Sequence, residues 1–362
     1  MAVSPVSDAI EIRSHKGVYE VLFDPLGVEA PDAAPPANAH VIIDERVADL
    51  HGARLDKLLA GPSVLRLKAT EKAKSLERFP AYVDHLVGRG IRRDHVLIAV
   101  GGGIVQDIAC FLAATLLRGV PWRFYPTTLL AQADSCIGSK SSVNSGSAKN
   151  ILGTFTPPER VIMDTRFLDT LDERDVRSGI GEMLKVHAIE SPAAFDNIAK
   201  AYPDLFRAPE IMRRFVRRSL EIKKRYVEED EFDRGPRNVF NYGHTFGHAL
   251  EAATKFAVPH GIAVTIGMDM ANFVSARLSV GRDAHFARMH PILARNFRGF
   301  ERRPVPMPAF LDAIAKDKKN LGQGTVTLIL PDAEGRIGKS AHPNDARFAA
   351  LCAEYLDKVR AA

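Results

Sequence analysis

The sequence predicts an α/β nucleotide-binding domain with a Rossmann-like, mostly parallel sheet, followed by a mainly α-helical domain. Three observations carry this expectation. Short apolar runs alternate with helical patterns over roughly the first 165 residues. One of those runs ends in three glycines that open a helical pattern. From about residue 172, long helical patterns dominate. The expected boundaries are 1–171 for the α/β domain and 172–362 for the helical one, consistent with about 100–200 residues per domain.

The elements follow in order. Residues 30–39 are rich in Pro and Ala and read as a loop. Residues 40–44 (HVIID) read as a buried strand ending in an acid, and 64–67 as a second short strand. Residues 95–100 (HVLIAV) form a third and lead straight into Gly101, Gly102 and Gly103. A helical pattern covers 104–117. Strands are expected at 123–125, before Pro126, Thr127 and Thr128, and at 161–164 (VIMD). Helices are expected at 193–202, 210–229, 244–255 and 260–278. A short strand at 325–330 (TVTLIL) and a closing helix at 347–359 complete the chain.

Composition sets bounds on function. The 362 residues are 46% hydrophobic and 26% charged, ordinary globular usage. Net charge is +5, with basic and acidic residues interleaved, which argues against a nucleic-acid surface. A few basic residues in one cleft would instead suit an anionic small molecule. Cys110, Cys136 and Cys352 are scattered, so neither a disulfide framework nor a thiolate zinc site is expected. The first residues lack the charged start and apolar core of a secretory signal, and no window approaches the ~20 apolar residues of a membrane span. A cytoplasmic location, without membrane partners, is the expectation.

Two groups of residues point to chemistry. A strand, a glycine run and a helix N-terminus together make a phosphate cradle, because N–H groups and helix dipole converge on an anion. GGGIVQD at 101–107 has that order, although a tight packing turn is an equal explanation. His244 and His248, four apart in NYGHTFGH, share a helix face, and His260 opens the next helical pattern. Glu182 and Lys185 share a face in GEMLK. One carboxylate with neutral imidazoles suits a divalent metal with an open position. Spacing alone nominates His244 with His248 as the ligand pair. The polar segment 134–150 (DSCIGSKSSVNSGSAKN) reads as a flexible loop or, if ordered, as a functional one whose lysines meet phosphates.

These strings, with Arg118–Gly119, PTTLLAQADS at 126–135, EIK at 221–223 and PHG at 259–261, resemble the 3-dehydroquinate synthases among the sugar-phosphate cyclases. They stand in that family's order with nearly its spacing from residue 100 to 267, and fainter matches reach Asp44, EKAKS at 71–75 and DKK at 317–319. The resemblance implies Glu182, His244 and His260 as ligands of one divalent metal, zinc or cobalt, with His248 facing substrate instead. It implies an NAD site lined by Asp44, Glu71, Lys74, Gly102, Gly103, Asp107, Thr127, Thr128, Lys140, Lys149 and Thr170. Asp134, Lys140, Asn150, Lys185, Lys223, Arg237, Asn241, His248 and Lys318 would hold the substrate. Arg118 matches an arginine that the family lends across a homodimer interface.

The reaction implied cyclises a seven-carbon sugar acid phosphate with loss of phosphate, 3-deoxy-D-arabino-heptulosonate 7-phosphate becoming 3-dehydroquinate. Hydride would leave to NAD and return, with the metal as Lewis acid. Arg237 and Lys223 would meet the substrate carboxylate, a planar group that a guanidinium binds in a bidentate manner.

Two departures stand out. Ser145-Gly146-Ser147-Ala148 replaces the family's His-Pro-Leu-Gly, and Ile262 replaces its Glu. They raise two rival activities: a specialised cyclase acting on another sugar phosphate, such as sedoheptulose 7-phosphate, and a metal-dependent polyol dehydrogenase. A non-catalytic relative is a third rival, disfavoured by the full set of site residues.

Overall fold

The computed structural model describes residues 9–23, 35–146, 148–316 and 324–361. They divide into two compact units. The first comprises Met1–Leu171 together with Lys223–Phe232, and the second Asp172–Ile222 with Asp233–Ala362.

The first unit is built on a seven-stranded sheet. Its strands are β1 (Ala9–Ser14), β2 (Gly17–Phe23), β3 (Ala39–Asp44), β4 (Val64–Leu67), β5 (Val96–Gly101), β6 (Trp122–Pro126) and, after a separate hairpin of β7 (Val143–Ser145) and β8 (Ala148–Leu152), β9 (Arg160–Met163). The spatial order is β1-β2-β9-β6-β5-β3-β4, and every pairing except β1–β2 is parallel. The continuous apolar runs foreseen at β3 and β5 are buried from end to end, except at Asp44. That is what a strand covered on both faces requires. Helices α1 (Glu45–His51), α2 (Asp56–Leu59), α3 (Phe79–Gly88) and α4 (Gly103–Thr115) belong to this unit.

The β1–β2 hairpin went unforeseen, although its sequence has the two-residue period. Ile10, Ile12, Tyr19, Val21 and Phe23 turn inward, while Glu11 and Arg13 turn outward. Such alternation is the mark of a half-covered antiparallel edge. The polar segment 134–150 is ordered in its described residues: a single π-helical turn at Ala131–Ser135 precedes the β7–β8 hairpin.

The strand order creates a switch point. The chain leaves β3 for β4 on one side and returns to β5 on the other. Open α/β sheets bind ligands outside the carboxyl ends of strands at such a point. Asp44 closes β3 there, and Gly101 closes β5.

The second unit is mainly helical, with α5 (Glu173–Glu190), α6 (Pro192–Ala201), α7 (Pro209–Glu229), α8 (His244–Ala253), α9 (His260–Arg277), α10 (Asp283–Asn296), α11 (Met307–Ala315) and α12 (Ala346–Glu354). A hairpin of β10 (Thr325–Pro331) and β11 (Ile337–Pro343) completes it. The division between units falls inside α7, after Ile222. The last turns of α7 are tied into the first unit by Glu228, which accepts from the Arg13 backbone N–H at 2.9 Å, and just beyond the helix by Glu231, which accepts from that of His15 at 2.7 Å. Helix α9 is buried on all sides from Gly261 to Ser275, so it shows no amphipathic stripe. No helix of the described residues is long and apolar enough to cross a membrane.

Candidate active site

In the first unit, the glycine turn serves both packing and openness. A Cβ on Gly101 would fall 2.4 Å from Val105 Cγ2, and one on Gly102 would fall 2.8 Å from Thr128 Cγ2. Those two glycines admit the helix and the β6 loop to close approach. Gly103 has nothing within 4 Å of a Cβ position, and no side chain caps α4. The helix N-terminus therefore keeps open space beside its N–H donors. Thr127 donates its backbone N–H to Gly101 O at 2.9 Å, which fixes the β6 loop beside the turn.

A polar network lies beside it. Lys74, 7% exposed, donates to Asp107 Oδ2 at 2.9 Å and to Asn150 Oδ1 at 3.0 Å, and stands 3.5 Å from Glu71 Oε1. Ser142 donates its N–H to Asp107 Oδ1 at 2.8 Å. Burial raises the Asp107 carboxyl to about 6, against the pull of Lys74. Asn144, which sequence reasoning passed over, organises this network. Its Nδ2 donates to Glu71 Oε1 at 2.9 Å, and its Oδ1 accepts the Asn150 N–H at 2.9 Å. Asn150 itself sits in the left-handed region at φ 51°.

Asp44 caps α1, accepting from Arg46 N–H at 3.2 Å, and burial raises its carboxyl above the usual range. Thr170 is exposed, and its hydroxyl meets His51 Nε2 at 2.9 Å, so His51 positions a residue assigned to the NAD site. The other strand-ending acid, Asp164, has a structural task. It is 2% exposed and takes Arg54 Nη2 at 2.5 Å and Arg166 Nη2 at 2.8 Å. Asp134 Oδ1 and the Asp134 carbonyl both lie 2.6 Å from Lys223 Nζ, joining two residues assigned to the substrate. Lys140 is half-buried and bridges to the Phe155 backbone, and Lys149 is exposed on β8. Arg118 is exposed at a corner where Leu117, Arg118 and Gly119 all take positive φ, at 51°, 67° and 124°.

In the second unit, close helix crossings assemble a carboxylate–imidazole cluster. Backbones of α5 and α9 touch: a Cβ on Gly261 would fall 1.8 Å from Ser178 O, and one on Gly181 would fall 2.2 Å from Gly261 O. No side chain fits there, and this proximity carries Glu182 of α5 to His260, the first residue of α9. Gly243 precedes α8 in the left-handed region at φ 76° and starts the helix at His244.

Glu182 is 1% exposed. Its Oε1 lies 3.3 Å from His260 Nε2 and 3.7 Å from His244 Nε2, and its Oε2 pairs with Lys185 Nζ. The ring atoms of His244, His248 and His260 offered as ligands lie within 4.8 Å of one another. The His244 and His260 rings are both oriented from behind. His244 Nδ1 faces Tyr242 O at 3.3 Å, and His260 Nδ1 faces both Glu251 oxygens at 3.3 Å. That turns both Nε2 atoms toward Glu182, as acceptors behind metal-binding imidazoles do.

The electrostatics agree with a cation between them. Burial alone opposes ionisation of Glu182, but Lys185 and His260 hold its carboxyl well below the usual range. Burial also opposes protonation of His260, yet Glu182 and Glu251 outweigh it and push the imidazole up to about 10. Burial, with Lys185 adding to it, keeps His244 neutral. A carboxylate oxygen and two imidazole nitrogens thus converge, in a buried setting, where only a proton or a cation relieves their lone-pair repulsion. The donor set of one carboxylate and imidazoles fits zinc or cobalt.

The pair nominated by spacing, His244 with His248, is therefore incomplete: the α8–α9 turn adds His260 to it. His248 is the exposed member of the three. Arg237 is 4% exposed and Asn241 donates to Asn238 O at 3.0 Å, both on the turn Pro236–Asn241 that precedes α8. Lys185 also stacks over the Phe240 ring at 5.5 Å. Ile262 is fully buried in the α9 core. Lys318 and Ser147 lie outside the described residues.

The descriptions of the 3-dehydroquinate synthase N-terminal and C-terminal domains match residues 64–178 and 179–320. A 3-dehydroquinate synthase of Listeria innocua is 38% identical over 346 residues, 91% of this chain and 92% of its own. Two solved structures share the fold. A 2-deoxy-scyllo-inosose synthase complexed with carbaglucose-6-phosphate, NAD+ and Co2+ superposes with a TM-score of 0.82 at 22% identity, covering 96% of this chain and 99% of its own. The 2-epi-5-epi-valiolone synthase of Streptomyces hygroscopicus, with NAD+ and Zn2+ bound, gives 0.80 at 26% identity over 99% and 100%. Fold and site together define a sugar-phosphate cyclase, a phosphate-eliminating carbon–oxygen lyase. Within that class, the chain belongs to the 3-dehydroquinate synthase family.

Proposed function

We propose that this chain converts 3-deoxy-D-arabino-heptulosonate 7-phosphate to 3-dehydroquinate, using NAD and one divalent metal, zinc or cobalt. The observation that carries the reading is the convergence of Glu182 Oε1 with His244 Nε2 and His260 Nε2. These three residues would hold the metal. Bound NAD would supply a hydride acceptor and the metal a Lewis acid.

The remaining steps fall to the chain's own groups. Lys185, drawn to Glu182, is a cation held beside the metal ligands, suited to stabilising an oxyanion on the substrate. Arg237 offers a planar fork for a carboxylate, and Asn241 and His248 flank it in sequence as further donors. In the first unit, Lys140, Lys149 and Asn150 are assigned to phosphate groups, with Lys74 and Asn144 holding Asn150 in its left-handed conformation. Asp134 pairs with the Lys223 ammonium and fixes its position. Gly102, Gly103, Thr127, Thr128, Asp44, Glu71, Asp107 and Thr170 are assigned to NAD; that Asp44 ends β3 and Gly102 follows β5 at the switch point supports the reading.

A homodimer belongs to the same reading. Arg118 projects from a strained corner beside Leu117, which is 45% exposed, as expected of a residue offered to a second copy. A cytoplasmic setting also goes with it, since all three cysteines are buried thiols.

A second reading, turnover of sedoheptulose 7-phosphate, is favoured by one observation: Ile262 places a buried apolar side chain where the family has a carboxylate. The deciding experiment incubates metal-loaded protein with catalytic NAD and each sugar phosphate. Equal release of phosphate and dehydroquinate, without accumulating NADH, supports the first reading. Turnover confined to sedoheptulose 7-phosphate replaces it with the second, and net NADH points to a dehydrogenase.

A further inference from the structure

We infer that the helical unit carries an anion site separate from the Glu182 cluster, in which Arg360, Arg302, Arg303 and His290 receive a small, multiply charged organic anion bearing phosphate or carboxylate groups. The site is a cavity of about 700 Å3 between the end of α10, the loop that follows it and the C-terminal segment.

The guanidinium of Arg360 is the buried charge of the site. The residue is 5% exposed and lines the cavity. Its Nη2 donates to Arg303 O at 2.7 Å. Its Nε and Nη1 are buried and have no hydrogen-bond partner. A guanidinium stays protonated in proteins, so these are permanent donors of a buried cation. Buried donors are nearly always satisfied, and a charged one left without an acceptor is costly. Nε and Nη1 are closed off from the cavity, so the guanidinium acts on an oxyanion there through its uncompensated positive charge rather than through a direct hydrogen bond.

The rest of the lining fits the same occupant. Arg302 and Arg303 are exposed at the mouth, and Glu301 is the one carboxylate among the lining residues. Glu301 Oε2 is engaged by the Gly299 N–H at 2.6 Å. His290 commits Nδ1 to Asp269 Oδ2 at 2.9 Å, and the same oxygen accepts from Tyr355 at 2.7 Å. That arrangement leaves the Nε2 edge of His290 to the cavity. Among the described lining residues three arginines stand against one carboxylate, which favours an anion as the occupant. A volume within the ~300–1,000 Å3 range of small-molecule pockets exceeds what bare phosphate needs, hence an organic anion with more than one charged group. Asp269 stands nine residues beyond His260 on α9, about 13 Å along the helix axis, so this site is not the metal cluster.

Inorganic phosphate is the probe, titrated by calorimetry into full-length, metal-loaded protein, with chloride at matched ionic strength as control. Native protein, Arg360→Gln and the double variant Arg302→Ala/Arg303→Ala are compared. Any phosphate bound at the proposed active site is common to all three. The expected result is a binding event in the native protein, beyond any at the active site, that weakens at least tenfold in each variant, with turnover of the sugar phosphate unchanged. The double variant alters only exposed side chains, so it reports whether or not Arg360→Gln folds. Identical phosphate binding in native protein and double variant overturns the assignment, as does native protein that binds phosphate no better than chloride.

Discussion

His260 stands between two carboxylates: its Nδ1 faces both oxygens of Glu251 at 3.3 Å, and its Nε2 faces Glu182 Oε1 at 3.3 Å. One acid orients the ring and the other shares its ligand face. Replacing Glu251 by Gln keeps the shape but weakens the hold on the ring and lowers its basicity. Metal affinity should fall about 10–100-fold, the usual effect of losing a group that orients a metal ligand. Competition with a chelator measures it, and unchanged affinity would remove Glu251 from the site.

Glu182 and Lys185 form a pair 1% and 2% exposed. Glu182→Ala should abolish metal binding and also destabilise the metal-free protein, because it strands a buried ammonium. Breaking one side of a buried pair costs about 3–5 kcal/mol. Denaturant unfolding of the metal-free variant tests this, and a loss below about 1 kcal/mol would mean that Lys185 finds water or another acceptor.

The α5–α9 contact makes a steric prediction. Gly261→Ala places a methyl 1.8 Å from Ser178 O, backbone that cannot swing aside. The helices must separate, costing about 2–3 kcal/mol or more and lowering metal affinity at the neighbouring His260. Gly338→Ala is the control: nothing lies within 4 Å, and stability should stay within about 0.5 kcal/mol.

Asn144 should matter to cofactor binding without touching the reaction. Its amide holds Glu71 and the Asn150 backbone at 2.9 Å each. Asn144→Ala is expected to raise the KM for NAD about tenfold or more, the loss of a hydrogen bond to a charged group being worth about 1.5–3 kcal/mol. A variant whose kcat falls while that KM holds would contradict this positioning role.

His290 predicts a pH dependence. Its hydrogen bond to Asp269 raises the imidazole above its unfolded value of 6.5, outweighing burial. The protonated ring is therefore favoured in the folded state. Its contribution is fully present below pH 6.5 and is lost as pH rises through the folded value. His290→Gln should flatten the stability profile above pH 6.5 relative to the native protein. Parallel profiles would show that the proton is not shared with Asp269.

Much of the architecture was legible because it rests on local pattern. Strands β3, β5, β6 and β9 are apolar runs, α6 to α8 carry helical periodicity, and α9 is a long, mostly apolar stretch. The β7–β8 hairpin was not legible, since small polar residues pair there and leave no hydrophobic period. Lys223 illustrates another limit. It lies on a helix that begins in the helical unit, yet it belongs to the first unit through Asp134. Sequence separation of 89 residues hides that bond.

The site divides along the same line. The sequence alone determined which residue types were present and in what order: a glycine turn after a strand, a carboxylate and lysine three apart, two histidines four apart and a third beyond. Family resemblance then assigned their roles. Only the tertiary structure decided that His260 joins His244 at Glu182, that Asn144 and His51 hold assigned residues in place, and that Arg360 ends buried beside a cavity. The physical reason is range. Helical and strand periods are properties of neighbouring residues. The cluster depends on backbones of α5 and α9 meeting at Gly181 and Gly261, a contact across 80 residues that no local period encodes.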